Sequence, residues 1–191
     1  ILIFFGPPGA GKGTQASLIA NNFEIPHLST GDILRKKLLQ NNVLSTNLKD
    51  VLDKGQLVSD DILNEIVSSR INNKDCLKGF VLDGYPRTMD QALFLNTILN
   101  SKNLKIDKII DIDIDEEIIL KRIISRSKIE NRQDDKKEVI KTRISRYLIE
   151  TKPLSDFYKL KYSTDYLIIN GNQKIEKITE DIIKILKNEK L

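Results

Sequence analysis

The 191-residue chain has no tryptophan, one cysteine (Cys76), one histidine (His27) and one methionine. A single cysteine closes no internal disulfide and builds no cysteine-rich metal site, so stabilisation by covalent cross-links is excluded. Cys76 is expected to be an ordinary buried or surface thiol. No apolar run approaches the ~20 residues that a membrane-spanning helix needs. The first residues, Ile1-Leu-Ile-Phe-Phe5, lead straight into a glycine turn with no basic segment ahead of them, so no signal peptide is expected, and at least an initiator Met is expected to precede Ile1. A soluble, reducing, cytoplasmic setting is the default expectation.

Hydrophobic residues make up 40% of the chain, enough for a core of ordinary domain size, and the 30% of charged residues solvate its surface. The formal net charge of +4 suits an anionic partner, but nucleotides satisfy it as well as nucleic acid does. There is no internal repeat and no low-complexity linker. Short apolar runs alternate with longer helical patterns, which predicts a parallel sheet covered on both faces. The expected strands are 1–5, 80–82, 109–114 and 166–169, with Leu28-Ser29 ending a further short one. Helices are expected over 12–22, with Leu18 and Ile19 facing inward, over 116–127, and over 175–188, where Ile178, Ile182, Ile185 and Leu186 recur at helical spacing. Two stretches fit a layered core less well and read as surface excursions that can move: 30–58, helical and polar, and 126–135, short and charged.

The first strand is followed by Gly6-Pro-Pro-Gly9-Ala10-Gly11-Lys12-Gly13-Thr14, which opens the first helix. That context gives the motif its meaning. Glycines let backbone N–H groups converge on phosphate oxygens, the helix N-terminus adds unpaired donors and partial positive charge, and Lys12 brings an ammonium to the terminal phosphates. The residue after Lys12 is Gly13 and the hydroxyl comes one place later, at Thr14, where it is a candidate for contact with magnesium or phosphate. A phosphate loop alone does not name a reaction: a switch, a motor and a small-molecule kinase all use one.

Three further segments discriminate: Leu28-Ser29-Thr30-Gly31-Asp32-Ile-Leu-Arg35, Gly55-Gln56-Leu57-Val58-Ser59-Asp60, and Leu82-Asp83-Gly84-Tyr85-Pro86-Arg87-Thr88 with Gln91. Arg35 and Arg87 each present a planar fork suited to a phosphate, although either alone also fits a surface salt bridge. Asp83, ending a buried strand beside the loop, can orient magnesium through water or cap the next turn. In order and spacing these segments, together with the glycine loop, closely resemble the adenylate kinase family. The resemblance implies a P-loop kinase fold in one α/β domain: a five-stranded parallel sheet with helices on both faces, a core of 1–28, 59–125 and 136–191, a helical AMP-binding subdomain over 29–58, and a short lid over 126–135. It implies transfer of the terminal phosphoryl group of MgATP to AMP, giving two ADP. It places Gly9, Ala10, Gly11, Lys12, Gly13 and Thr14 around ATP. It places Thr30, Gly31, Arg35, Gln56, Leu57, Val58, Gly84, Tyr85, Pro86, Arg87 and Gln91 around AMP. Related UMP and CMP kinases usually carry Ala where Thr30 stands, so Thr30 favours AMP.

Arg122 and Arg126 lie four apart on one helix and share a face. Lys128, Arg132, Asp134-Asp135 and, on a second helix, Arg143 follow. A run this charged is usually a solvated face. The resemblance instead assigns Arg122 and Arg126 to ATP, Arg132 and Arg143 to AMP, and all four to the transfer itself, with Gln173 touching the ATP base through its backbone. Thr151-Lys-Pro153-Leu-Ser-Asp-Phe157-Tyr158 and Asn170-Gly171 match the family as well. Arginines that arrive on closure neutralise the charge that phosphoryl transfer spreads, and closure removes water. The lid lacks the Cys-x-x-Cys that holds zinc in longer-lid relatives, so no structural zinc is expected. Asp134 and Asp135 are expected to tie the lid to its hinge arginines.

His27 invites a general-base role, but the acceptor oxygen of AMP is already ionised and needs none, so a packing or solvent-facing role is expected. Magnesium is expected to arrive with ATP, without direct protein ligation. The expected partners are ATP, AMP and ADP, with no nucleic acid and no membrane, and the family expectation is a monomer. A kinase for UMP or CMP remains an alternative. A nucleotide-dependent switch leaves Arg35, Arg87 and Gln91 unexplained, and nucleic-acid binding rests on net charge alone, with no aromatic platform among the basic residues.

Overall fold

The computed structural model of the protein describes residues 1–38, 50–54, 56–130, 135 and 137–188. Arg132, Asp134 and Gly55 lie outside the described residues, as does the 39–49 part of the expected 29–58 excursion. Among the described residues five strands form one parallel sheet in the order β2-β3-β1-β4-β5. The strands are β1 (Leu2–Phe5), β2 (His27–Ser29), β3 (Val81–Asp83), β4 (Lys108–Asp113) and β5 (Tyr166–Asn170). The helices are α1 (Lys12–Asn22), α2 (Thr30–Leu38), α3 (Asp60–Ile71), α4 (Met89–Ser101), α5 (Glu116–Glu130), α6 (Lys137–Arg146), α7 (Lys152–Lys161) and α8 (Ile175–Asn188). A 3₁₀ turn covers Lys74–Lys78, a π turn covers Tyr147–Thr151, and residues 50–53 are helical.

The apolar runs become strands buried on both faces, and their alternation sorts the core into two layers. Ile3 and Phe5 of β1 face one way, with Leu28, Leu82 and Ile109, and pack against Leu63, Ile66 and Val67 of α3, Ala92 and Leu95 of α4, and Leu154 and Tyr158 of α7. Leu2 and Phe4 face the other way, with Val81, Ile110 and Ile112, and meet Ala16 and Ile19 of α1 and Ile178, Ile182 and Leu186 of α8. A third cluster, Ile119, Ile123 and Ile140, joins α5 to α6.

The expected strands are all present, the short one ending at Ser29 as expected and the others differing by one residue at an end or at both. Of the helix residues expected to face the core, Leu18 is placed wrongly and is 39% exposed. Consecutive helical positions are about 100° apart, so a narrow buried stripe of Gln15, Ala16, Ile19 and Ala20 leaves Leu18 outside. Helix α5 also runs on to Glu130, because nothing from Arg126 to Glu130 breaks a helix. Arg126, expected on the same helix as Arg122, therefore lies within it and not at its end.

The topology positions the site. From the central strand β1 the chain first builds one side of the sheet (β2, β3) and then crosses to the other (β4, β5). In register, Phe4 of β1 pairs with Asp83 on one side and Ile110 on the other. A ligand crevice forms outside the carboxyl ends of strands where the order reverses. The loop after β1 opens there, and Asp83, the last residue of β3, ends beside it.

Leu95→Ala, emptying a fully buried position of α4, is expected to cost about 2–5 kcal/mol. Leu160→Ala, at an 83% exposed position, is expected to stay within about 0.5 kcal/mol. Equal shifts of the urea midpoint for the two variants would contradict the layering.

Candidate active site

Three glycines of the loop after β1 adopt positive φ: Gly6 (134°), Gly9 (86°) and Gly11 (93°). At Gly9 a Cβ would stand 2.7 Å from Ile123 Cγ1, so α5 packs directly on the bare loop backbone. Helix α1 begins at Lys12 without a side-chain cap, which leaves its first N–H groups to the crevice. Lys12 folds back over the loop, its Nζ donating to the carbonyls of Gly6 (2.7 Å) and Pro7 (2.9 Å). Burial draws its pKa down from 10.5 to about 7. The carboxylates of Asp83 and Asp111 oppose that shift, and the positive charges of Arg87 and Arg143 reinforce it.

A cleft of about 460 Å³ opens over this loop. From the expected ATP set it is lined by Gly9, Gly11, Lys12, Gly13, Thr14 and Arg126. From the acceptor set it is lined by Thr30, Gly31, Arg35, Gln56, Leu57, Val58, Gly84, Pro86, Arg87 and Arg143, and Asp83 lines it between the two. Thus the segments that are far apart in sequence share one cavity. Gly84 shows how tightly the acceptor side is built. Its φ is +76°, and a Cβ there would lie 2.9 Å from Arg87 NH2 and 3.0 Å from Thr30 Oγ1. Its carbonyl accepts from Thr30 Oγ1 (3.0 Å) and Arg87 Nε (2.9 Å), joining α2 to the loop after β3. The adjoining Tyr85–Pro86 peptide is cis. Arg35 pairs with Asp32 at the rim, where both are exposed.

Asp83 is almost fully buried. Burial alone would raise its pKa, but the neighbouring His27 and the charges of Lys12 and Arg87 hold it below the ordinary carboxylate range. His27 Nε2 lies 3.4 Å from Asp83 Oδ2. Asp135, which does not itself line the cleft, has a fully buried side chain that binds two of the lining arginines, from successive helices. It accepts from Arg126 Nε (2.8 Å) and NH2 (2.6 Å) and from Arg143 NH1 (2.8 Å). The expected tie from Asp135 to the hinge arginines is therefore present.

Several expected residues stand behind the cleft instead of in its wall. Arg122 donates to the carbonyls of Ala10 (3.2 Å), Gly171 (2.8 Å) and Gln173 (3.1 Å), so it clamps the glycine loop to the turn after β5. Gln173 contributes that carbonyl, while its amide donates to Asn170 O (3.2 Å). Gln91 is fully buried, donating from Nε2 to Asp60 Oδ1 (2.6 Å) and accepting the Arg87 N–H (2.7 Å). Tyr85 is likewise buried, its hydroxyl donating to Asn64 Oδ1 (2.6 Å).

The cleft also contains residues that sequence reasoning missed. Arg146 lines it, and its place three residues beyond Arg143 on one helix was a usable signal. Tyr147 and Thr151 line it from the π turn, and no sequence pattern announces such a turn. His27 and Asp32 also line it. Leu34, Leu52 and Leu63 join the expected Val58 in an apolar wall.

Among the described residues no three His, Cys, Asp or Glu side chains come together as a metal group. Nor is any described helix long and apolar enough to cross a membrane.

Cations gathered around a glycine turn at the switch point of a parallel sheet define a P-loop protein that handles phosphates. Comparison with known proteins narrows the class. The adenylate kinase family model matches residues 4–163. The adenylate kinases of Brucella melitensis biotype 1, Brucella anthropi and Brucella abortus strain S19 are each 45% identical to this chain, over 97% of its length and 97% of theirs. The chain belongs to the adenylate kinase family.

With Lys12 near 7, a bound triphosphate adds negative charge beside it and raises its pKa towards 10.5, so proton uptake accompanies binding between those values. At pH 8, calorimetric titration with a non-hydrolysable ATP analogue is expected to give enthalpies that vary with the ionisation heat of the buffer. That dependence should vanish in Lys12→Met. Buffer-independent heats, or equal dependence in the variant, would contradict the assignment.

Proposed function

We propose how this chain's residues divide the work of the activity its family carries out, transfer of a phosphoryl group from ATP to AMP to give ADP. The observation that supports this division is the meeting of Lys12, Arg87 and Arg143 across one cleft, close enough for each arginine's charge to bear on the lysine. The glycine loop and the N-terminus of α1 hold the ATP phosphates. Lys12 exchanges the carbonyls of Gly6 and Pro7 for the terminal phosphate oxygens. Arg35 and Arg87 hold the AMP phosphate in line, while Thr30 and the apolar wall of Leu34, Val58 and Leu63 receive the base. Gln56 and Leu57 flank the ribose. Gln91 acts by fixing the Arg87 backbone.

Arg126 and Arg143, ordered by Asp135, balance the charge that spreads over the transferring group, joined by Arg132 from the lid. Positioning and neutralisation are the chief contributions a protein makes to this reaction. No side chain has to take a proton, because the attacking phosphate oxygen is already ionised. His27 instead supports Asp83.

Magnesium accompanies ATP in this family, and the donors fit it. Asp83 is kept ionised in the cleft, where its Oδ2 would lie 3.2 Å from a Cβ on Gly13, and the exposed Thr14 lies on the same wall. Asp83 would hold the hydrated ion through water, and the bound ion supplies charge neutralisation between the terminal phosphates. The 29–58 and 126–135 segments act as the acceptor flap and the lid of a cytoplasmic monomer that binds neither nucleic acid nor membrane.

A coupled assay of ADP formation from MgATP with AMP, UMP, CMP and GMP in parallel tests this reading. AMP is expected to be preferred, and faster turnover with UMP or CMP would overturn the choice of acceptor. Lys12→Met is expected to lower kcat about 10²–10³-fold while remaining folded by circular dichroism. Arg87→Ala is expected to raise KM for AMP far more than KM for ATP.

A further inference from the structure

Helix α6, the π turn and α7 form an unbroken helical rod from Lys137 to Lys161. Its first part carries Arg143 and Arg146 to the cleft. At 147–151 the rod departs from α geometry, and the Lys152 N–H donates to the carbonyl of Tyr147, five residues back. Single π turns of this kind gather at functional sites.

Inside a helix, a threonine hydroxyl commonly returns to the carbonyl three or four residues earlier. Thr151 does otherwise. It is 8% exposed and borders the cleft, and its Oγ1 donates at 3.2 Å to the main-chain carbonyl of Arg87, on the loop after β3. The Arg87 residue is thereby held on both sides of its Cα. Its N–H goes to Gln91 Oε1 at 2.7 Å and its carbonyl to Thr151, while its Nε is aimed by Gly84 O at 2.9 Å. Gln91 is in turn fixed by Asp60, at the start of α3.

We infer that Thr151 is a positioning residue for Arg87. Its hydroxyl is a direct link between the rod that carries Arg143 and Arg146 and the loop that carries Arg87. Through this bond, movement of the rod shifts the Arg87 main chain and so the fork that grips the acceptor phosphate. The inference rests on the assignment of Arg87 to AMP.

The test compares Thr151→Val, which keeps shape and removes the donor, with Thr151→Ser, which restores it, alongside Arg87→Ala and the Arg87→Ala/Thr151→Val double variant. Thr151→Ala stands in should the second methyl of valine not be accommodated. Thermal melts establish that each variant is folded at the assay temperature. Thr151→Val is expected to raise KM for AMP about fivefold, the scale of one lost hydrogen bond, and to change KM for ATP less than about twofold. Serine is expected to bring KM for AMP back near the parent value. In the Arg87→Ala background the Thr151→Val factor is expected to disappear, as it must if the hydroxyl acts through Arg87. Equal changes in both KM values, failure of serine to rescue, or an undiminished factor in the double variant would overturn the inference while leaving the acceptor site intact. If Arg87→Ala is not itself selective for AMP, the acceptor-site assignment fails, and this inference with it.

Discussion

Like charges repel, and this cleft gathers Lys12, Arg35, Arg87, Arg126, Arg143 and Arg146 around one cavity. Holding so many cations together before any phosphate arrives is the demand that the surrounding structure meets. Two carboxylates do most of it. Asp83 lies nearly buried between the phosphate loop and Arg87, kept ionised by the cations beside it. Asp135, wholly buried, locks Arg126 and Arg143 together across two helices. Removing one partner from so enclosed an arrangement leaves an uncompensated charge, which is far more damaging than the loss of an exposed pair such as Arg35–Asp32. Lys12 itself is held at a low pKa chiefly by burial, with Arg87 and Arg143 adding to the shift and Asp83 and Asp111 opposing it. An incoming polyphosphate then meets cations that the protein already holds in place, so little reorganisation accompanies binding.

That arrangement is possible because of where the sheet changes direction. β1 is central, so the loop that follows it can face strands from both halves of the chain: Asp83 at the end of β3 on one side, β4 and the helix α5 it feeds on the other. Arg122 exploits the same geometry from behind. Its three bonds to carbonyls tie the glycine loop to the turn after β5, so the loop's shape is set by three separate segments and not by its own glycines alone. A loop fixed this way presents its N–H groups without further ordering when phosphate binds, which is the condition for electrostatic preorganisation.

What the sequence made legible follows from this physics. The glycine loop, Lys12 and the first helix were readable because the requirement is local: strand, turn and helix must follow one another within a few residues. Arg122 and Arg126 of α5 were readable by helical spacing, Arg143 of α6 by the family resemblance and Asp135 by its charge and that resemblance, while Arg146, one turn beyond Arg143, was passed over. Leu18 was misplaced because an apolar residue next to a buried one was allowed to share its face, although the helix turns it away. The roles of Gln91 and Arg122 were harder. A glutamine or arginine in a substrate-binding motif invites direct contact with ligand, yet both spend their hydrogen bonds here on the protein, on Asp60 and the Arg87 N–H in one case and on carbonyls in the other. Only tertiary structure reveals whether a polar group faces the ligand or the residue that does.

The same distinction bears on how two substrates can be handled by one enzyme without either being hydrolysed. Arg87 and the arginines of the rod, Arg143 and Arg146, arise from segments more than fifty residues apart and face one cleft. If they were independent, the donor side could close over ATP with no acceptor present, and water could take the place of AMP. A direct hydrogen bond from the arginine-bearing rod to the Arg87 carbonyl makes the two halves mechanically dependent. The local energy of such a bond is small, but it acts on the main chain, where a shift of a few tenths of an ångström is carried to the end of a long side chain. In a reaction governed by alignment, a bond too weak to matter for folding is strong enough to matter for positioning.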